Sequence, residues 1–222
     1  MNLISILHQQ TERSCAGSES TSKRVISMLK GAKTAFYFGD EATTPSLLQQ
    51  AGYEVIAYIT EHSRVKDGMK HAESFELPAE AAESDVLWYA GVAEFDPPSV
   101  RLEQLKSICK KGGTVVYRAL CWLIDPSPDT KSYCTKRYGV LAPLDRVLTE
   151  AKQAGFKIED FYISPKSDWT DGYFKPLVQA AEMLSGEQGE AVLSGMGELK
   201  KETDMFELHC EEYSYVYYIL KG

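Results

Sequence analysis

The residues with most chemical capacity in this chain gather at a short turn, Gly39-Asp40-Glu41-Ala42-Thr43. Two carboxylates placed where a strand passes into a helix can orient a bound amine. They can equally accept hydrogen bonds from the free N–H groups that open the helix, favoured by its dipole. Gly39 lets the backbone approach a ligand closely. Further along, Glu61 stands beside His62, a pairing suited to general-base chemistry or simply to a solvated loop. Glu73-Ser74-Phe75 brings a carboxylate, a hydroxyl and a ring together, and Tyr89-Ala90-Gly91 closes an apolar run. Ligands of open α/β sheets sit at such strand ends, although aromatic residues there also serve packing. Trp169, Tyr173 and Phe174 are suited to lining an apolar pocket or to anchoring a cap. Metal chemistry has no such footing. The four histidines (His8, His62, His71, His209) lack H-x-x-x-H spacing, and the five cysteines (Cys15, Cys109, Cys121, Cys134, Cys210) lack C-x-x-C.

The elements that must position these residues read as alternating strands and helices. Thr34–Phe38, Tyr53–Ile59, Asp85–Ala90 and Gly113–Tyr117 are near-continuous apolar runs, the pattern of strands buried on both faces of a parallel sheet. Between them, Pro45–Ala51 is a helix with Thr44 as its expected cap, and Ser99–Lys111 a second one stopped at Gly112-Gly113. After a proline-punctuated loop at Trp122–Pro128 come a helix over Leu144–Ala154, a strand over Phe156–Ile163 and a helix over Tyr173–Leu184. Gly/Glu-rich sequence follows from Ser185 to Gly197, then a last strand over Tyr213–Leu220. The two late strands are expected to pair antiparallel at one sheet edge. The sum is an α/β, doubly wound, mostly parallel sheet with right-handed crossovers.

Composition narrows the function. At 222 residues, 44% hydrophobic and 25% charged, the chain fits one α/β domain. A net charge of -8 with no basic patch disfavours nucleic acid. No run approaches the roughly 20 apolar residues of a membrane span. The N-terminus lacks the pattern of a signal peptide, and the odd, scattered cysteines suit a reducing compartment, so a cytoplasmic location is expected.

At this point the residues resemble a known family. Ser84-Asp85-Val86-Leu87-Trp88-Tyr89, followed by Leu105–Val116 with its Gly112-Gly113, resembles the fourth strand, helix and fifth strand of class I S-adenosylmethionine (SAM)-dependent methyltransferases. Lys111 replaces the family's proline. Glu73–Pro78 resembles the segment that borders the adenine in small-molecule methyltransferases. Asp168–Leu177 resembles the aromatic stretch before a capping helix, and Gly17–Thr21 an N-terminal helix cap over the cofactor. The resemblance implies a seven-stranded sheet with an antiparallel last strand. It divides the domain into an N-terminal helical cap (1–32), a nucleotide-binding-type half (33–120) and a C-terminal half with a substrate cap (121–222). It implies SAM as cofactor, held by Gly39, Glu41, Glu61, Glu73, Ser74, Phe75 and Tyr89, with a small apolar or aromatic substrate against Trp169, Tyr173 and Phe174. A second copy of the chain is the expected partner.

The glycine-rich first motif departs from the family. Where the family carries an acidic residue and Gly-x-Gly-x-Gly, this chain has Tyr37, then Gly39 alone, with Glu41 and Thr43 in the later glycine positions. Ile59 stands where the ribose-binding carboxylate closes the second strand, and Glu61 lies two residues on. Two readings follow: a SAM-dependent methyltransferase with a rebuilt first loop, or a methyltransferase-fold protein that has lost the cofactor and acts as a binding module. An oxidoreductase of Rossmann type is disfavoured by the missing Gly-x-Gly-x-x-Gly.

Overall fold

The computed structural model describes residues 6–8, 10–11, 13–73, 76–90, 97–185 and 189–222. The central strands β1 (Thr34–Gly39), β4 (Val86–Tyr89) and β5 (Thr114–Trp122) are buried along almost their whole length. Such strands need apolar side chains on both faces, which is why their sequences run apolar without alternation. With β2 (Glu54–Ile59), β3 (Lys70–His71), β7 (Lys157–Ile163) and β8 (Tyr213–Lys221) they form the order β3-β2-β1-β4-β5-β8-β7. The first five are parallel, while β8 runs antiparallel to both β5 and β7. A two-residue strand, β6 (Ala142–Pro143), pairs with β5 off this path, so the sheet has eight strands rather than seven.

Alternate side chains of each strand enter opposite layers. One layer joins Phe36, Phe38, Leu87, Tyr89, Tyr117 and Tyr218 to Leu102 and Leu105 of α3 (Pro98–Ile108) and Val147 and Ala151 of α5 (Leu144–Gln153). The other joins Tyr37, Ile59, Trp88 and Tyr217 to Val25 of α1 (Glu19–Met28) and Leu47 and Leu48 of α2 (Thr43–Gln50). A third cluster lies off the sheet's end, where Trp169 is stacked against Phe206 and Tyr215. It is built by α4 (Pro128–Tyr138), the short α6 (Lys166–Trp169), a π-turn (Thr170–Phe174), α7 (Lys175–Ser185) and α8 (Gly189–His209).

Several expectations are corrected in detail. The helix expected from Tyr173 begins as a π-turn, and the Gly/Glu-rich segment enters the long helix α8. Strand β5 runs on to Trp122, past the expected end at Tyr117. Helix α2 is preceded by Ala42, not capped by Thr44, because the Glu41 carboxylate takes the capping role. Helix α1 lies in the N-terminal segment, and Ser18 Oγ accepts from Thr21 N–H at its start. That segment is fastened to the C-terminal helices by Gly17 N–H donating to Asp168 O at 3.2 Å and Ser18 Oγ donating to Asp168 Oδ1 at 2.6 Å. A side chain at Gly172 would strike the Gly17 carbonyl, so the two backbones touch. Among the described residues no helix is long and apolar enough to cross a membrane.

The aspartate that opens the fourth strand has a structural task. Asp85 accepts from Lys110 Nζ at 2.8 Å and from the N–H groups of Lys33 and Thr34 at 3.0 and 3.2 Å, tying the start of β4 to that of β1. Lys110 first, then those N–H groups, hold its carboxyl well below the usual carboxylate range. Because the folded-state value is depressed, this stabilisation is complete above the unfolded value of about 3.9 and is lost as pH falls. Asp85→Ala is expected to cost about 1 kcal/mol at neutral pH, the exposed Lys110 contact keeping the figure low. Urea unfolding at pH 7 and at pH 3 checks this: the difference between variant and wild type shrinks at the lower pH.

Candidate functional site

The turn after β1 folds onto itself. Tyr37, fully buried where the family resemblance expects an acid, points its hydroxyl at Glu41 Oε1, 3.4 Å away. Glu41 is 2% exposed. Its carboxylate accepts from Thr43 N–H at 2.8 Å, from Thr44 N–H at 3.1 Å and from the Thr44 hydroxyl, and pairs with Arg13 Nη1 at 3.3 Å. An anion therefore already occupies the start of α2, where free N–H groups and the helix dipole favour one. Space near Gly39 is also taken, since a Cβ there would lie 2.7 Å from Ala90 Cβ and as close to the Tyr37 ring.

Asp40, equally buried, faces the other way. It accepts from Ser14 N–H at 3.0 Å and lies 3.6 Å from Arg64 Nη1 and 3.7 Å from Arg118 Nη2. Burial opposes its ionisation, but Arg118, then Arg64 and the Ser14 N–H, keep the carboxyl below its ordinary value. Arg64 in turn donates to the Thr11, Asp40 and His8 carbonyls, fixing the N-terminal segment over the turn. Burial pushes the Cys15 thiol, beside Asp40, up to about 12, so it stands neutral at physiological pH.

Beyond Asp40 opens a cavity of about 530 Å³ between the N-terminal segment, β5, the loop 139–142 and the cap. Asp40 and Arg118 line one part of it, Arg137 and Glu202 another, and Trp169, Tyr173, Tyr138 and Tyr215 supply the rings. Glu202, 1% exposed, accepts from Arg137 Nε and Nη2 at 3.2 and 3.1 Å and from the Tyr138 hydroxyl at 2.5 Å. The Tyr173 hydroxyl lies 3.4 Å from Glu202 and 3.2 Å from His8 Nε2.

The sequence-predicted residues divide accordingly. Trp169 and Tyr173 line the cavity, whereas Phe174 packs between Trp169 and Phe206 as a cap anchor. Gly39 and Glu41 lie at the self-occupied turn. Ile59 is fully buried at the end of β2, and Glu61, just beyond, accepts from the Ser63 hydroxyl at 3.2 Å. His62 is exposed, its ring 4.9 Å from that of His71. Tyr89 belongs to the core, stacked on Phe38 with the Arg101 guanidinium over its ring. Glu73 is exposed; Ser74, Phe75 and Gly91 lie outside the described residues. Sequence reading missed Arg13, Arg64, Arg118, Arg137 and Glu202. Only Arg118 carried a signal, a lone charge within the apolar run of β5. Among the described residues no group of three metal-ligating side chains forms.

Against known proteins the likeness is one of fold. No family model and no curated protein matches the chain. A solved SAM-dependent methyltransferase from Thiobacillus denitrificans, in complex with S-adenosyl-L-homocysteine, superposes with a TM-score of 0.77 at 12% identity over 99% of both chains. YjhP from E. coli superposes at 0.76, also with 12% identity, over 98% of both chains. The [4+2]-cyclase SpnF does so at 0.61 with 13% identity, over 99% of this chain and 79% of that one. The chain has the class I methyltransferase fold.

His8 gives the cavity a pH signature. Burial first, then Arg64 and Arg137, push its imidazole down to about 4, so the ring is neutral at pH 7. A histidine whose folded value is depressed binds protons more readily unfolded, so stability falls as pH drops from about 6.5 toward that value. Denaturant unfolding followed between those limits is expected to show this slope, and His8→Gln to flatten it. An unchanged slope in the variant would assign the effect elsewhere.

Proposed function

We propose that this protein is a methyltransferase-fold binding protein that takes a small molecule in the cavity beside Asp40 and does not hold SAM in the manner of the family. One observation carries this reading: the Glu41 carboxylate sits on the N–H groups of Thr43 and Thr44 and against Arg13. SAM held at the glycine-rich turn presents its own carboxylate to the start of that helix. Here the ligand would have to displace a buried, paired anion, and breaking such a pair costs about 3–5 kcal/mol. Tyr37 and Ile59 in place of the two acidic positions support the same conclusion, because each fills its space with an apolar ring or chain. Fold alone does not argue otherwise, since one fold hosts many chemistries.

A second reading keeps methyl transfer from SAM to a small apolar or aromatic molecule. It is favoured by the retained cavity, which reaches Asp40 in the first turn and is roofed by Trp169 and Tyr173. Methyl transfer depends mainly on proximity and alignment, so a rebuilt turn is compatible with it.

Calorimetric titration separates the two. The wild-type chain is expected to give no saturable heat with SAM or S-adenosylhomocysteine, and Glu41→Gly to gain measurable affinity for the latter. Micromolar binding of either nucleoside by the wild type, with transfer of a labelled methyl group, would replace the first reading with the second.

A further inference from the structure

One chain of hydrogen bonds in the cavity wall admits a single consistent placing of its protons. Arg137 Nε and Nη2 and the Tyr138 hydroxyl donate to Glu202. The Tyr173 hydroxyl stands between Glu202 Oε1, 3.4 Å away, and His8 Nε2, 3.2 Å away. Burial first, then Glu202, push that hydroxyl well above a phenol's usual range, so it holds its one proton at neutral pH. Given to His8, that proton would leave two oxygens, Tyr173 Oη and Glu202 Oε1, facing each other with no hydrogen between them. Given to Glu202, it frees Tyr173 Oη to accept from His8 Nε2–H, and each contact then holds one proton. A carboxylate is the stronger acceptor and a buried oxygen without a donor is costly, so the second arrangement prevails.

That placing sets the state of the other ring nitrogen. A neutral imidazole carries one N–H, so a proton on Nε2 makes Nδ1 an acceptor. Burial first, then Arg64 and Arg137, keep the His8 ring neutral at pH 7. His8 lines the cavity, and among the described residues its Nδ1 has no hydrogen-bond partner. The carboxylates among the described lining residues are engaged already, Asp40 by Ser14 N–H and arginines, Glu202 by Arg137, Tyr138 and Tyr173. A ligand that brings a donor therefore finds an open acceptor at His8. Leu120, Leu141, Ala142 and Trp169 line the same cavity and suit an apolar body.

We infer that the cavity binds a hydroxyl compound with an apolar body, its O–H donating to His8 Nδ1. This rests on the reading that the cavity is a small-molecule site. It adds the functional group of the ligand, which that reading leaves open.

The test uses the full chain, isotope-labelled at the histidine nitrogens, with 4-ethylphenol, hexan-1-ol and the methyl ether of each. Nitrogen NMR of the free protein is expected to show the His8 proton on Nε2. Titration with either hydroxyl compound is expected to saturate and to move the Nδ1 resonance upfield. The ethers keep the oxygen and lose the donor, and are expected to bind roughly 2-fold to 10-fold more weakly, the range of one neutral hydrogen bond. Burial alone would favour the ethers, which are the more apolar. His8→Phe removes the preference for hydroxyl over ether. The nitrogen spectrum is read on the wild-type chain, so it decides the matter even where that variant misfolds. Ethers binding as tightly as hydroxyl compounds, a His8 proton on Nδ1, or an Nδ1 signal unmoved by bound phenol would overturn the inference and leave the small-molecule site standing. Saturable binding by none of these compounds would overturn both.

Discussion

An anion at the first turn of α2 meets N–H groups with no partner inside the helix, and in this chain that anion is covalently part of the protein. Glu41 reaches Thr43, Thr44 and Arg13 from within the turn, and Glu41, Thr44 and Arg13 are all buried. Burying a carboxylate and a guanidinium together is tolerable only when both are well paired, so this contact dictates much of what surrounds it. Arg13 must come from the N-terminal segment, which is therefore held down over the turn. Arg64 holds the same segment through the carbonyls of His8 and Thr11, and Asp40 through the Ser14 N–H. The segment then continues to Gly17 and Ser18, which fasten it to Asp168 of the opposite cap. A chain of polar contacts thus runs from the sheet's first strand to the C-terminal helices.

Function follows from what this closure leaves open. The turn at the start of α2 is taken up by internal pairing, while the space between β5 and the C-terminal helices remains a cavity with rings on its walls. The sheet's layers are filled by side chains such as Phe36, Tyr89 and Tyr117 on one face and Tyr37, Trp88 and Tyr217 on the other. The fold is thereby kept while the chemistry at its edge is free to change.

The doubly wound sheet was legible because β1, β4 and β5 are buried on both faces and so spell uninterrupted apolar runs. Helix α4 was not legible: it buries only Thr130 and Cys134, too few positions to print a helical stripe. In α8 the core-facing positions Leu199 and Phe206 are interrupted by Glu202, a carboxylate where the pattern calls for an apolar residue. The same residue is a wall of the cavity, so the local rule fails where the site is built. The capping role of Glu41 was readable from residue type, since it is a local interaction, whereas Asp40, expected to share it, turns to Ser14 and the arginines instead. The partners Arg13, Arg64 and Arg118 were not, because tertiary structure alone brings them from separate segments.

The claim that Glu41 stands in for a ligand's carboxylate can be tested by removing it and returning the carboxylate in solution. In Glu41→Ala, whose stability should fall by about 3–5 kcal/mol, added formate or acetate is predicted to raise the unfolding temperature markedly. Neither should affect the wild type in this way, and formamide or chloride at matched concentration should not substitute. An equal response in variant and wild type, or none in either, would contradict the account.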